Sequence, residues 1–427
     1  MTSSATDAAA RADSGPRGLA LHPFRGLRFA ADRVGDLAAV TSPPYDMLDA
    51  ETVAALRATA QHNVVRLILP RDTNPGAGLD QTGRYRQAGT TFRGWRRDGV
   101  LVTDSRPGLY VYEQAGAVRQ RGLIGALGLR EPEERIVLPH EDVQPGPVAD
   151  RLALMQACEA NLEPILLVYD GGGAASEVVE LTAADEPLFT VRTDDGIEHR
   201  LWPVTSPSSL AAIAADLLPR QALIADGHHR YATYRKLRDE HRKAGAGMGP
   251  WDSGLALLVD QTAYPLRVSA IHRTVAGLPL DKAVSALSVD FAAVDFGSDT
   301  SAARSALAAS CGREPGFLCT DGSSWVLLRG GAYVGPEPEL DIEVLRLTLE
   351  RRLGLDDAQV GYAHDEPSAL RAAHRGGGVA ILVNPVDVAT VQRVAQSGGR
   401  MPRKSTSFGP KPRTGFVMRA FHEDADS

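Results

Sequence analysis

The sequence predicts an α+β protein. Short apolar runs typical of buried strands alternate with stretches in which apolar residues recur at helical spacing, and both patterns occur along most of the chain. The chain has 427 residues, 43% of them hydrophobic, which is enough for two or three domains. We divide it into a disordered polar tail (residues 1–18), an N-terminal α+β region (19–130), a core region (131–278) and a C-terminal α/β region (279–427).

The N-terminal region combines strand patterns with one long helix. AAVTSPPYDML, NVVRLILP, GLYVYEQ and GLIGALGL have the apolar composition of strands. The segment TGRYRQAGTTFRGWRRDG carries Tyr85, Phe92 and Trp95 at near-helical spacing, so we expect these aromatic residues in the core. Within the first run, TSPPYD (41–46) contains consecutive prolines that favour a rigid turn, with contact to a substrate as the alternative.

The C-terminal region alternates helices and strands. AVSALSV and AARSALAAS are helical patterns, whereas PGFLCT, SWVLLRG and VAILVNP are short apolar runs typical of strands. The polar segment MPRKSTSFGPKPR follows them. Its hydroxyl groups, lysines and glycine suit a phosphate-binding loop, although the glycine spacing is not that of a Walker A loop, and a flexible basic tail is the alternative.

Composition narrows the classes of function. The formal net charge is −7 and the basic residues are scattered, which argues against general nucleic-acid binding. The three cysteines are too few for a disulfide framework, and none has zinc-finger spacing to a histidine, so a reducing compartment is favoured. The polar N-terminus lacks the apolar core of a signal peptide, and no apolar run approaches about 20 residues. We therefore expect a cytoplasmic protein without a membrane partner.

The densest group of polar residues lies in LIADGHHRYATYRKLRDE. LLPRQALIAD predicts a strand and RYATYRKLRDEHRKA predicts a helix, so Asp226 to Arg230 form the turn between them. Gly227 permits a sharp turn, and the helix N-terminus offers free N–H groups and a partial positive charge. These features suit a phosphate. Arg230 could add a bidentate contact, while His228 and His229 could donate hydrogen bonds or transfer protons.

Asp226 needs a different role, because a carboxylate repels a bare phosphate. It would suit a magnesium ion, or the ammonium or hydroxyl group of a substrate. The alternative is an aspartate that caps the helix and is followed by ordinary surface histidines. A zinc site is the least favoured interpretation, because neighbouring residues on one turn rarely reach the same metal.

Three segments carry a resemblance to a known superfamily. IADGHHRYAT resembles the signature turn of the ParB/sulfiredoxin superfamily, and VLPHEDV and MPRKSTSFGPKPR are similar to two segments of its free serine kinases. The three segments occur in the same order as in those kinases. Almost the whole chain also resembles a widespread prokaryotic family known only as a domain of unknown function. That resemblance is carried by TSPPYD, HNVVRL, PHE, DRL, ADGHHR and MPRKST.

The resemblance implies a ParB/sulfiredoxin-like core within residues 131–278 and a kinase activity. Such a kinase transfers a phosphoryl group from ATP or ADP, with magnesium, to the hydroxyl of free L-serine or a similar metabolite. By this resemblance Glu141 is the catalytic base, and Asp226 and His228 are further catalytic residues. The phosphate-binding or nucleotide-binding residues are Gly227, His229, Arg230, Lys404, Ser405, Thr406 and Lys411.

Four more residues are candidates for binding the substrate. His140 either orients Glu141, contacts phosphate or is structural. Arg151 follows Asp150, the expected N-cap of the helix DRLALMQACEA, and either pairs with an acid or reaches a phosphate. His272 and Arg273 follow a strand pattern. We favour two alternatives equally: either they line the same cleft as the other candidates, or they have no role in it.

The sequence also departs from the kinase pattern. Glu141 and Asp226 are 85 positions apart, which implies an insertion or an altered loop, and the first 130 residues have no kinase counterpart. Two other functions therefore stay open. A nucleotide hydrolase would need no acceptor, and a non-catalytic ParB-like regulatory module would bind DNA through a basic helix-turn-helix, for which we find no segment. Homo-oligomerisation is left open.

Overall fold

The structure of the protein is a computed structural model, which describes residues 18–70, 81–331, 340–356 and 358–423. Residues 1–17 of the predicted disordered tail lie outside the described residues. The described part combines helices with several β-sheets, so the α+β prediction is confirmed. Within it, no helix has both the length and the apolar character that crossing a bilayer requires.

The chain forms two compact units. The first combines Met1–Leu266 with Pro410–Ser427, and the second is Arg267–Gly409. The second unit is therefore an insertion in the sequence of the first.

The first unit begins with strands and helices that alternate irregularly. Its strands up to the insertion are β1 (Leu21–His22), β2 (Leu27–Phe29), β3 (Leu101–Thr103), β4 (Leu109–Ala115), β5 (Arg119–Gly128), β6 (Val137–Leu138), β7 (Ala160–Asn161), β8 (Ile165–Tyr169), β9 (Phe189–Arg192), β10 (Glu198–Val204), β11 (Ala222–Asp226) and β12 (Ser253–Asp260). Its helices are α1 (Ala31–Val34), α2 (Leu37–Val40), α3 (Ala50–Thr59), α4 (Val65–Ile68), α5 (Gln81–Arg97), α6 (Pro145–Cys158), α7 (Ala174–Thr182), α8 (Pro207–Leu217) and α9 (His228–Lys243).

One large mixed sheet organises the first unit. The strand order is β6-β11-β8-β12-β5-β4-β10-β9, and β1 also pairs with β5. The pairs β6–β11 and β8–β12 are parallel, and the other pairs are antiparallel. This sheet joins strands of the predicted regions 19–130 and 131–278. The functional division into those regions stays a prediction.

Two apolar cores stabilise the first unit. One lies between the large sheet and α6 to α9, and it includes Val111, Ile165 and Tyr234. The other surrounds α5, where Tyr85 and Trp95 are buried, as is Phe92. The predicted aromatic stripe of this helix is therefore confirmed. Burying side chains of this size provides most of the favourable free energy of folding.

Two predicted strands are wrong. The run AAVTSPPYDML forms α2 and then a 3-10 turn at Tyr45–Met47, because the Asp36 side chain accepts a hydrogen bond from Ala38 N and starts the helix. NVVRLILP contains α4, which starts where Asn63 Oδ1 accepts from Val65 N. Since α4 is a single turn with almost all of its side chains buried, it lacks the periodicity that identifies a helix.

The second unit is also an α+β structure. Its strands are β13 (Arg267–Ala270), β14 (His272–Val275), β15 (Ala292–Asp295), β16 (Gly316–Thr320), β17 (Trp325–Arg329), β18 (Gly361–Ala363), β19 (Val379–Val383) and β20 (Thr406–Gly409). Its helices are α10 (Leu280–Leu287), α11 (Thr300–Ser310), α12 (Asp341–Leu353), α13 (Glu366–Gly376) and α14 (Val388–Gln396). The sheet order is β15-β17-β16-β19-β14-β18, and β13 pairs separately with β20.

The segment after the second unit returns to the first. It forms β21 (Arg419–Ala420), which pairs with β7, and Leu27 and Met418 exchange backbone hydrogen bonds. Most side chains from Phe416 to Phe421 are buried. This final segment is therefore a structural part of the first unit.

Candidate functional site

The PHE and DGHHR segments meet at one edge of the large sheet. Because β6 and β11 are parallel neighbours, the residues that follow them emerge at the same edge. His140 N donates to His228 Nε2 at 3.2 Å, and the two imidazole rings are 4.4 Å apart in an edge-to-face arrangement. Glu141, half-buried, is next to His140. The 85 positions between Glu141 and Asp226 therefore do not keep the two segments apart.

A second hydrogen bond holds the loop after β6 to the first turn of α9. Gln144 N donates to His229 Nε2 at 3.1 Å. His228 and His229 thus both use Nε2 as an acceptor of a backbone N–H, which requires the proton of the neutral ring to be on Nδ1. In this arrangement neither Nε2 atom donates a hydrogen bond to a phosphate. The histidines fix the loop that carries Glu141.

Gly227 makes the turn from β11 into α9. It is the N-cap residue of this 16-residue helix. Its φ is 94°, a backbone conformation that residues with a Cβ atom rarely adopt. Because the N-cap residue is Gly227, which has no side chain to cap the helix, the predicted alternative of Asp226 as the helix cap is wrong. This end of α9 carries the partial positive charge of the helix dipole, which favours an anion.

Replacing Gly227 by alanine is expected to destabilise the first unit by about 1–3 kcal/mol. The positive φ is unfavourable for alanine, and its Cβ would lie 2.7 Å from Cγ2 of Ile165, inside the core. Urea unfolding followed by circular dichroism measures the change. Gly247→Ala is the control, because nothing lies within 4 Å of its Cβ position and its φ is not positive. Equal stabilities of the two variants would contradict the prediction.

Asp226 forms ion pairs with two cations. Its Oδ2 accepts from Arg230 Nη2 at 2.6 Å, and its Oδ1 is 2.5 Å from Lys411 Nζ. Lys411 Nζ is also 2.6 Å from Oδ2 of Asp46, in the TSPPYD segment. Opposite charges therefore alternate from Asp46 to Arg230. Arg230 is buried and donates further to Pro164 O at 2.7 Å, so its guanidinium holds Asp226 rather than presenting a free fork to a phosphate.

The charges of this chain of ion pairs are stabilised by one another. Burial opposes the charge on Lys411, but Asp226 and Asp46 outweigh it and raise the pKa of the ammonium group. Burial likewise opposes the charge on Arg230, whose pKa is nevertheless raised by Asp226 and Glu163. Both side chains therefore remain cations near neutral pH.

Two residues that the sequence interpretation missed lie beside Arg230. Tyr45 N donates to Oε1 of the buried Glu163 at 3.1 Å, and the Arg151 guanidinium lies over the Tyr45 ring at 4.3 Å. Burial raises the pKa of Glu163, against the opposing effect of Arg230 and Arg151. Tyr45 lies in the TSPPYD motif, so the sequence could have indicated a role for it. Glu163 lies in the segment ANLEP, which matches no motif.

Arg151 is buried in α6, and the predicted cap of this helix is wrong. The helix begins at Pro145 with Gln144 as N-cap, because proline suits the first helical position, so Asp150 lies inside the helix. Asp150 accepts instead from Arg84 and from Arg151 Nε, each at 2.8 Å. Arg151 also donates to Ile68 O at 2.8 Å. These contacts favour the structural alternative for Arg151.

The second unit holds the remaining candidates. Arg273 donates to Lys404 O at 2.9 Å and to Ile271 O at 2.7 Å, and His272 Nδ1 accepts from Val383 N at 3.3 Å. Ser405 is buried, and its Oγ has no hydrogen-bond partner among the described residues. Thr406 begins β20. Lys411, by contrast, belongs to the first unit, so the proposed phosphate segment is divided between the two.

A magnesium ion held by Asp226 does not fit this arrangement. Both carboxylate oxygens already face a cation, and a divalent ion would have to displace one of them. Within the described residues, no group of three or more histidine, cysteine, aspartate or glutamate side chains is arranged to hold a metal.

Comparison with known proteins places the chain in a family. A family model described as a protein of unknown function (DUF1015) matches residues 21–344. No curated protein sequence matches the chain.

Solved structures match at low similarity. SbnI with a C-terminal truncation, from Staphylococcus aureus, is 10% identical with a TM-score of 0.37, covering 69% of this chain and 85% of its own. A free serine kinase in complex with AMP is 15% identical with a TM-score of 0.36, covering 67% and 90%. A conserved hypothetical protein from Pyrococcus furiosus is 16% identical with a TM-score of 0.36, covering 68% and 94%.

Proposed function

The chain belongs to the DUF1015 family of proteins of unknown function, and we propose that it is a small-molecule kinase. In this proposal a ParB/sulfiredoxin-like core binds ATP or ADP and transfers a phosphoryl group to the hydroxyl of free L-serine or a similar metabolite. The observation that carries the proposal is that the loop after β6, which contains Glu141, is held by two hydrogen bonds against the first turn of α9. An acid beside an anion-binding helix end is what transfer to a hydroxyl requires.

The phosphate side of the site rests on backbone and ammonium groups. The first N–H groups of α9 follow Gly227, and the helix dipole adds a partial positive charge at this end. Lys411 lies next to Asp226, one residue before Gly227, and is the cation we assign to the phosphate. Arg230 acts through Asp226, because its guanidinium is already bound within the protein.

Glu141 supplies the base in the proposed reaction. Its carboxylate takes the proton of the acceptor hydroxyl while that oxygen forms a bond to phosphorus, and the bond from phosphorus to the leaving nucleotide oxygen breaks. His140, His228 and His229 position Glu141 through the two hydrogen bonds that hold its loop. Asp226 holds Lys411 and Arg230 rather than a metal.

The second unit, considered by itself, carries a separate set of proposed phosphate-binding residues, Lys404, Ser405 and Thr406. Arg273 holds this segment by donating to Lys404 O, and His272 and Arg273 stay predicted substrate contacts. Ser405 supports this role, because a buried hydroxyl without a partner among the described residues is costly unless a ligand satisfies it. When magnesium is present it would enter with the nucleotide, whose phosphate oxygens it prefers, and supply charge neutralisation there.

Phosphorus NMR tests the proposal. The purified chain is mixed with ATP or ADP, magnesium and a panel of hydroxyl amino acids, and the products are followed with and without each acceptor. Phosphoserine, or another phosphorylated acceptor, is the expected product. Inorganic phosphate released without an acceptor would identify a nucleotide hydrolase. Nucleotide that is bound but never consumed would identify a non-catalytic nucleotide-binding module.

A further inference from the structure

Lys411 is held between two carboxylates that come from distant parts of the chain. Its Nζ is 2.6 Å from Asp46 Oδ2 and 2.5 Å from Asp226 Oδ1. An ammonium group has three N–H donors, and the contacts found among the described residues use two of them. One donor thus remains available for a ligand.

Exposure increases along the ion pairs from Arg230 to Asp46. The exposed fraction of the side chain is 5% for Arg230, 11% for Asp226, 12% for Lys411 and 33% for Asp46. Arg230 therefore lies in the interior, whereas Lys411 contacts the partly exposed carboxylate of Asp46. Of the two cations on Asp226, Lys411 is the more exposed, and it is paired with Asp46, the most exposed of the four groups.

The segments that carry Asp46 and Lys411 are fastened to each other. Ser42 and Thr414 exchange two backbone hydrogen bonds, and Arg413 Nε donates to Thr41 Oγ1 at 2.7 Å. The TSPPYD segment also contains two consecutive prolines, which restrict its backbone. Asp46 is consequently a fixed point for a lysine whose four-carbon side chain would otherwise sample many conformations.

We propose that Asp46 is a positioning residue that holds the Lys411 ammonium for the nucleotide phosphate, so that nucleotide binds without a metal on Asp226. The inference rests on the proposed function. It extends that function to the TSPPYD segment, which the kinase motifs do not cover. It follows from the donor set, because both oxygens of Asp226 face cations and Lys411 keeps a third N–H donor beside the two carboxylates.

Calorimetric titration with ADP, in EDTA and in magnesium, tests this inference on the full chain. Wild type is expected to bind ADP in EDTA. Lys411→Met should weaken that binding at least about tenfold, through loss of a charge-assisted contact. Asp46→Asn should weaken it about fivefold, because the pair is partly exposed. The double variant should bind no more weakly than Lys411→Met alone, because Asp46 acts only through Lys411.

Asp49→Asn is the matched control. It makes the same change three residues away, and asparagine keeps the cap that Asp49 forms on α3 by accepting from Thr52 N. Thermal unfolding of every variant checks the fold. Wild-type affinity in Asp46→Asn, or additive losses in the double variant, would overturn the inference while leaving the proposed function in place. A wild type that binds ADP only with magnesium also overturns it, and one that binds no nucleotide overturns both.

Discussion

Glu141→Gln is expected to lower the rate of phosphoryl transfer about 10²–10⁴-fold, the usual contribution of a general base. Glutamine has nearly the same size and keeps an oxygen that accepts hydrogen bonds, but it does not take a proton from the acceptor hydroxyl. Nucleotide affinity should stay at the wild-type value, because the proposed phosphate contacts come from α9 and Lys411. Single-turnover transfer measured by phosphorus NMR, together with calorimetric titration of nucleotide, separates the two effects.

Asp142→Asn provides the control for Glu141. It removes one negative charge from the neighbouring position of the same loop, so it reproduces the change in electrostatic potential without removing the proposed base. The expected result is a rate close to that of wild type. If Asp142→Asn and Glu141→Gln were equally slow, the effect would belong to the charge of the loop, and Glu141 would lose its assigned role.

Asp226→Asn is expected to reduce the free energy of unfolding of the first unit by about 3–5 kcal/mol, and to abolish nucleotide binding. The substitution removes the carboxylate that Arg230 and Lys411 share. Lys411 keeps its contact with Asp46, but the buried Arg230 loses its ion-pair partner. A buried cation without a partner costs much more than the pair itself contributes. Urea unfolding followed by circular dichroism gives the stability, and calorimetric titration gives the nucleotide affinity.

Two further variants make the Asp226 prediction specific. Asp98→Asn removes the partner of Arg97 in an exposed pair of the same unit, and the variant should be about as stable as wild type. Arg230→Met combined with Asp226→Asn should restore part of the lost stability, because it removes the stranded charge as well. An Asp226→Asn protein as stable as wild type would mean that this buried pair has no energetic role.

The two segments that form the centre of the site could be predicted from the sequence. β11 has the continuous apolar run of a buried strand, α9 has a helical pattern, and Gly227 between them marks a turn that needs a positive φ. The hydrophobic pattern could not predict which strand pairs with β11. Strand pairing is a long-range choice, and the parallel pairing with the two-residue β6 closes the separation of 85 positions that had suggested an insertion.

The contacts of Arg230 could not be predicted from the sequence. A guanidinium next to a helix N-terminus suits a phosphate, but its side chain turns inward to Asp226 and Pro164 O. Asp226 could be recognised as special, yet its partner Lys411 follows it by many residues and by a whole inserted unit. Contacts between residues so far apart depend on the tertiary fold, which local propensity does not encode.

Short elements were the least predictable part of the fold. NVVRLILP was predicted as a strand but contains α4. A single buried helical turn has apolar residues on every side, so it lacks the pattern of an amphipathic helix. The long helix α5, by contrast, has enough turns for its aromatic stripe to be visible in the sequence. Length therefore decided which elements could be identified.

The insertion of the second unit has a consequence for biosynthesis. The chain leaves the first unit after Leu266, enters β13, and returns through β20, whose Gly409 pairs with Arg267, so entry and exit are adjacent. During translation the sheet, Glu141 and α9 are available for folding long before Lys411 has been made. A nascent chain that stops within the second unit would leave Asp226 without its lysine and β7 without β21. The ribosome therefore has to complete the whole insertion before this protein can acquire the proposed activity.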